Sequence, residues 1–449
     1  MRKTLGLLAS SAALWALPVY GSPAAGPVSG GDALSIVRDL TSEVGQRLGG
    51  TPREAAARDW AVARLKALGF ANPRIETFPI QGWERGEEKA SISAPIPHRL
   101  AVTALGYSGA TPPQGVTGEL AYFPTLEALK AAAEGSLKGK IAFVDHAFKP
   151  SQDGAGYGLF GAARRQGPAI AAQKGASALL IRSIGTDHTR NPHTGVSQAP
   201  DGKPRLAAGA VSNPDADLIA LLAARGKAMA VQVTLTPRFT GVVTSGNVIA
   251  DLVGSDPALP PVLVACHLDS WDLATGAIDD AAGCAIVTAA ALQASKDGKL
   301  ARTIRVLWAG TEEMGAYGGR AYADAHAGEP HAVVMESDTG ADRVFRAGLQ
   351  MGAANEPLAA RIATELARFG ITRGPNEAEG GADVGPIAAK QKLAVIDLNQ
   401  DMTRYFDWHH TPDDTLDKID PAQLQQNVDV WAAVLKILGN TTTPIAPAG

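Results

Sequence analysis

Cysteine is scarce in this sequence: Cys266 and Cys284 are the only two. That excludes a small scaffold stapled by disulfides. Cys266 closes an expected buried strand and Cys284 falls in the first turns of the next helix. Two separate buried thiols are the expectation, since spacing along the chain says nothing of the distance a bridge needs. No long run of Lys or Arg occurs, and 41 basic against 45 acidic residues leave a formal charge of -4, so the basic stripe of a nucleic-acid binder is missing. Beyond the N-terminus no stretch is uniformly apolar over the roughly 20 residues that cross a bilayer, and no membrane partner is expected. Internal repeats and the polar bias of disorder are absent too. With 45% hydrophobic residues, the chain can bury one large core or two moderate ones.

What is present begins with a segment patterned for export. Arg2 and Lys3 precede an apolar stretch from Leu5 to Ala16, followed by small residues around Gly21, Ser22 and Ala24. This reads as a signal peptide over 1–24, cleaved to leave a periplasmic or extracellular protein. Helical patterns follow at about 32–48 and 53–69, then strand-like residues from 75 to 107. Between about 115 and 242 the texture changes to an α/β pattern of its own, with strands at 140–144 and 178–182, a helix near 161–174 and a loop rich in Gly, His and Asn. This is read as an inserted domain. Short β-branched runs then alternate with Ala-rich helical segments, the signature of an α/β fold: a β-sheet with helices on both faces. Expected strands are 248–252, 262–266, 304–308, 333–336 and 393–398; expected helices are about 281–295, 355–369 and 421–438. The catalytic domain is thus assigned to 25–114 and 243–440, the insert to 115–242, and the Pro-rich residues 441–449 to a frayed tail.

The chemistry gathers at strand ends, where open α/β sheets place their ligand sites. In Val262-Leu-Val-Ala-Cys-His267-Leu-Asp269 an apolar strand stops at a His, and Asp269 can accept a hydrogen bond from its second ring nitrogen. Asp279 and Asp280 precede a helix. Asp280 is explained as a helix cap, whereas Asp279 has two oxygens with which to bridge two cations. After the strand at 304–308 comes Gly-Thr-Glu312-Glu313-Met-Gly; of two adjacent Glu residues, one can coordinate a metal while the other takes a proton from water. Glu336-Ser-Asp338 ends the next strand, and His409-His410 lies in an aromatic, polar loop from which one further ligand is expected. Two His and three carboxylates suit zinc, with manganese or cobalt as substitutes. Asp383 and the stretch 401–405 are pocket candidates with a surface-loop role equally open.

In this order, His-Leu-Asp-Ser-Trp-Asp, Gly-Ala-x-Asp-Asp, Thr-Glu-Glu-x-Gly, Glu-Ser-Asp and His-His-x-x-x-Asp-Thr resemble the two-zinc exopeptidases of the aminopeptidase superfamily, most closely the carboxypeptidase Q branch. The resemblance implies a zinc-exopeptidase fold with a mixed sheet, and an insert like a protease-associated domain. It implies two zinc ions per chain, one on His267 and Asp338, the other on Glu313 and His410, bridged by Asp279. His410 is preferred to His409 because the family ligand stands four residues before the Asp of Asp-Thr, here Asp414. Glu312 becomes the general base, Asp269 the partner of His267, and a cis peptide is implied at Asp279–Asp280. The implied activity is cleavage of dipeptides or short peptides with free termini, and the nearest relatives imply a homodimer. Alternatives are an aminopeptidase on longer peptides and, more remotely, a non-catalytic binding protein or an enzyme like glutaminyl cyclase.

Overall fold

The computed structural model describes residues 32–198 and 205–448; the expected signal peptide lies outside the described residues. The strands, in chain order, are β1 (Ala71–Glu84), β2 (Glu88–Ala94), β3 (His98–Leu100), β4 (Val102–Ala104), β5 (Val116–Phe123), β6 (Ile141–Val144), β7 (Ala178–Arg182), β8 (Ala208–Val211), β9 (Ala230–Leu235), β10 (Arg238–Leu252), β11 (Val262–His267), β12 (Ile304–Ala309), β13 (Val333–Glu336), β14 (Val344–Gln350), β15 (Thr372–Arg373) and β16 (Ala394–Gln400). The helices are α1 (Ala33–Asp39), α2 (Pro52–Ala67), α3 (Leu126–Ala131), α4 (Tyr157–Gln173), α5 (Asn213–Ala224), α6 (Ala282–Ala294), α7 (Tyr317–Ala325), α8 (Glu356–Ala367), α9 (Gly385–Gln391), α10 (Tyr405–Trp408) and α11 (Pro421–Gly439).

One sheet runs β1-β10-β12-β11-β13-β16-β14-β15. Its centre, β12-β11-β13-β16, is parallel, while β1, β10 and β14 pair antiparallel. Both faces are covered, so the central strands read as apolar runs rather than as alternation. The two-residue period survives in where the side chains go. Val262, Val264 and Cys266 join the core shared with α1, α6 and α11, whereas Leu263 and Ala265 pack on the opposite face with Tyr322 of α7 and Ile387 of α9. Because β11, β12 and β13 are parallel, their C-terminal ends lie along one edge. That edge carries His267, Glu312-Glu313 and Asp338.

The second sheet runs β3-β2-β9-β5-β6-β7-β8-β4, with β5 to β8 parallel. Leu179 and Ile181 of β7 face α3 and α4, and Leu180 faces α5. This unit starts earlier than the expected boundary at 115, because β2 pairs with β9 from Glu88 to Ala94 and β4 pairs with β8. Residues 88–104 therefore belong with the second sheet rather than with the first.

Two further expectations are corrected. Cys266 and Cys284 are not separate thiols but a disulfide, since the end of β11 lies against the first turn of α6 with the two Cα atoms 5.0 Å apart. Residues 441–448 of the expected tail are not frayed. The buried Arg302 donates to the carbonyls of Thr441 and Thr443, Asn355 exchanges two bonds with Ala446, and Ala448 N–H donates to the Lys392 carbonyl.

Candidate metal centre

His267 is the last residue of β11 and is buried. Its Nδ1 lies 3.0 Å from the main-chain carbonyl of Asp269, and its Nε2 lies 3.0 Å from Asp279 Oδ1 and 3.2 Å from Asp338 Oδ1. The Asp269 carboxylate sits farther from the ring, at 3.6 Å. It accepts instead the N–H groups of Glu312 and Glu313, at 2.9 and 3.3 Å. So Asp269 orients His267 chiefly through its main chain, while its side chain ties the end of β11 to the turn after β12.

The segment that delivers Asp279 is held from two sides. The buried guanidinium of Arg47 donates to the carbonyls of Leu268, Thr275 and Gly276. Asp414 Oδ1 accepts the N–H groups of Ala277 and Ile278, both at 2.7 Å. The Asp279–Asp280 peptide is cis, and the two carboxylates diverge. Asp280 turns back to accept the N–H groups of His267 and Gly283, at 3.1 and 2.9 Å, a cap at the head of α6. Asp279 points into the cluster, Oδ1 toward His267 and Oδ2 to 3.3 Å from His410 Nε2.

His410 Nε2 also lies 2.8 Å from Glu313 Oε2. Its neighbour His409 stacks on it with ring centroids 3.5 Å apart, and its Nε2 is 3.6 Å from Asp279 Oδ2. Asp338 and Glu312 are half-buried; Glu313 is buried. Asp383, for which pocket and surface-loop roles were both open, is fully buried with both carboxyl oxygens unpartnered. Its N–H and that of Val384 donate to Glu336 Oε2 at 2.8 and 2.9 Å. Of the stretch 401–405, Tyr405 is buried against His409, and Arg404 pairs with Asp342 away from the centre.

The electrostatics call for positive charge. Burial pushes Glu312 up to about 8, with Asp338 adding to the effect. Burial and Asp279 raise Glu313 well above the carboxylate range. Burial alone would lower the His267 imidazole, yet Asp338, Asp269 and Asp279 raise it well above its ordinary value. Burial takes His410 down to about 4, which leaves a neutral ring whose Nε2 faces carboxylate oxygens. Asp279 Oδ2 and Glu313 Oε1 are buried without a hydrogen-bond partner. A cluster in which burial and neighbouring carboxylates oppose the anionic forms holds those groups as anions only when a cation supplies the balancing charge. Two His and three carboxylates are donors suited to zinc, and His267, Asp279 and Asp338, like Asp279, His409 and His410, can bring donor atoms within 4.8 Å of one another. The residues present therefore fit a zinc centre.

Sequence reading missed Arg47, which lies in an unremarkable Gly-Gln-Arg-Leu stretch, and treated Asp414 only as a motif marker. It also missed Arg164, His193 and Thr194, which reach the His409-His410 turn from the second sheet.

A mixed sheet with a cluster of His and carboxylates at its parallel edge fits a metal-dependent enzyme. Residues 247–435 match the profile of Peptidase family M28. Carboxypeptidase Q of Bos taurus is 32% identical over 411 residues, covering 89% of this chain and 84% of that protein. Carboxypeptidase Q of Homo sapiens is 31% identical over 408 residues with the same coverage. The crystal structure of a peptidase M28 precursor from Shewanella amazonensis matches with a TM-score of 0.90 at 43% identity, over 92% of this chain and 94% of that one. A zinc aminopeptidase from Bacillus subtilis shares the fold, with a TM-score of 0.64 at 18% identity over 94% of this chain and 98% of that one. The chain belongs to Peptidase family M28 and is a zinc-dependent peptide hydrolase.

Proposed function

We propose that this protein is an exported two-zinc exopeptidase acting on dipeptides or short peptides with both termini free. The observation that carries the two-metal reading is the division of Asp279. Its Oδ1 faces His267, which also meets Asp338, and its Oδ2 faces His410, which also meets Glu313. His267 and Asp338 would hold one zinc, Glu313 and His410 the other, with Asp279 shared.

When bound, zinc lowers the pKa of a water and polarises the scissile carbonyl. Glu312, next to the ligand Glu313 but not one itself, takes the proton of the attacking water and returns it to the leaving amine. Asp269 holds the Glu312 and Glu313 amides, which fixes where the two carboxylates begin. Asp414 and Arg47 fix the approach of Asp279.

The relatives named carboxypeptidase Q support recognition of a free C-terminus. A probable lipoprotein aminopeptidase of Mycobacterium tuberculosis, 26% identical over 298 residues, keeps aminopeptidase action on longer peptides as the alternative. Export is supported by the N-terminal pattern and by a disulfide, which suits an oxidising compartment. The second sheet is proposed to be a protease-associated domain, and a homodimer belongs to the same reading. The test is zinc content before and after chelation, together with hydrolysis of unblocked, N-blocked and C-blocked dipeptides. Two zinc per chain and chelator-sensitive cleavage of unblocked dipeptides alone are expected. Cleavage of C-blocked substrates would move the assignment to an aminopeptidase, and absence of both zinc and turnover would overturn it.

A further inference from the structure

The turn that presents His410 belongs to the catalytic sheet, but it is held in place by the other unit. His410 itself has a left-handed backbone, φ 63°, which a side chain with a Cβ adopts only when its surroundings impose it. The loop after β7 imposes it. Thr194 N–H donates to the His410 carbonyl at 3.0 Å, and the Thr194 carbonyl faces His410 Nδ1 at 3.3 Å. The same carbonyl accepts from Arg164 Nη1 at 3.2 Å, and Arg164 Nη2 donates to the Tyr157 hydroxyl at 2.9 Å. One residue earlier, His193 Nδ1 meets the His409 carbonyl at 2.7 Å while its Nε2 meets Asp187 Oδ1 at 2.6 Å.

Both side chains are buried, and the chain makes room for each with a glycine. A Cβ on Gly195 would lie 2.2 Å from Arg164 Nη1, and one on Gly185 would lie 2.1 Å from His193 Nε2. Among the described residues Arg164 forms no ion pair with a carboxylate; its guanidinium reaches the Thr194 carbonyl, the Tyr157 hydroxyl and, through Nη1 at 3.3 Å, His410 Nδ1. For His410 to bind metal through Nε2, its Nδ1 carries the proton and donates it to an acceptor; of the two groups facing Nδ1 only the Thr194 carbonyl can accept, so Arg164 Nη1 acts on the ring by holding that carbonyl rather than by donating to Nδ1.

We propose that Arg164 and His193, both in the second-sheet unit, are positioning residues for the metal site of His410 and Glu313, so that one of the two zinc ions binds tightly only when this unit grips the 409–410 turn. This rests on the two-zinc reading above. The experiment is zinc titration of the metal-free full-length protein against a chromophoric chelator, with thermal unfolding alongside and steady-state kinetics on the zinc-loaded protein.

Wild type should bind two equivalents. Arg164→Ala and His193→Ala should each weaken one equivalent by about 10- to 100-fold and leave the other within about twofold, with kcat falling more than KM rises. Arg164→Lys, which keeps a donor for the Thr194 carbonyl, should restore most of the loss. Tyr157→Phe, a change mild enough to spare folding, should weaken the same equivalent by a smaller factor. Wild-type affinity for both equivalents in these variants would overturn the proposal, as would an equal loss at both sites, which marks a merely structural role. A wild-type protein that binds fewer than two zinc ions would instead refute the two-zinc reading, and this inference with it.

Discussion

Glu312 and Glu313 are neighbours with different surroundings. Glu313 is buried 2.8 Å from His410, whereas Glu312 stands half-buried near Asp338. Glu312→Gln should therefore keep its bound zinc while kcat falls by roughly 10²- to 10⁴-fold, the usual worth of a general base. Glu313→Ala should lose metal first and activity as a consequence. Metal analysis beside kinetics separates the two, and a fully active Glu312→Gln enzyme would end the assignment. A quieter carboxyl makes a pH prediction. Glu54 on α2 is buried against Arg58 and Ser245, and burial raises it to about 7 from 4.5. The folded protein thus keeps a proton that the unfolded chain releases near 4.5, so stability declines as pH rises from about 4.5 to 7. Glu54→Gln should flatten that part of the pH–stability profile in urea titrations; an unchanged slope would show that Glu54 ionises alike in both states. The residues grouped at the centre were legible in the sequence because each follows a strand or sits in a short motif. Arg164, His193 and Thr194 were not, since their meaning comes from a loop of one sheet crossing to a turn of the other.

At the scale of elements, β11 and α6 form the frame of the centre, one ending at His267 and the other beginning just beyond Asp279 and Asp280. The Cys266–Cys284 disulfide joins them directly behind the cluster, with Cys284 Sγ 3.2 Å from the His267 carbonyl. Closing a loop of 18 residues stabilises the fold by about 3 kcal/mol on the chain-entropy account. Replacing both cysteines with Ala should lower the denaturation midpoint accordingly and reduce zinc affinity, because the two elements are then free to separate. A variant with unchanged stability and metal content would show that β11 and α6 hold each other by packing alone. The pairing could not be read beforehand, as it depends on a 5.0 Å approach of Cα atoms that no spacing encodes. Strands such as β11, β12 and β13 were legible from apolar runs flanked by Gly and polar residues. Helices α7 and α9 were not, being short and opening with Gly-rich or Gly-Pro sequence, and neither was β14, whose Val-Phe-Arg-Ala-Gly-Leu-Gln mixes polar and small residues.

For the molecule as a whole, the sequence signals an insertion but misplaces its start, because β2 to β4 follow β1 without a break in composition and are assigned to the second sheet only by pairing with β9 and β8. The two units then meet at the His409-His410 turn, where bonds from Thr186, His193 and Thr194 cross between them. On the proposal that this grip positions His410, the metal centre becomes part of what holds the units together. Its carboxylates, buried beside one another, repel when no cation lies among them, so zinc should stabilise the folded chain by mass action, about 4 kcal/mol for each site held at a thousandfold excess over its dissociation constant. Chelation should therefore lower the unfolding temperature, and the loss should be uneven. Hydrogen exchange should quicken first in residues 183–198 and 405–411, where one unit grips the other, and last in β11 and β12, whose backbone bonds lie inside the sheet. Uniform acceleration across both sheets would mean that the metals stabilise the fold globally and that the contact between units owes nothing to them.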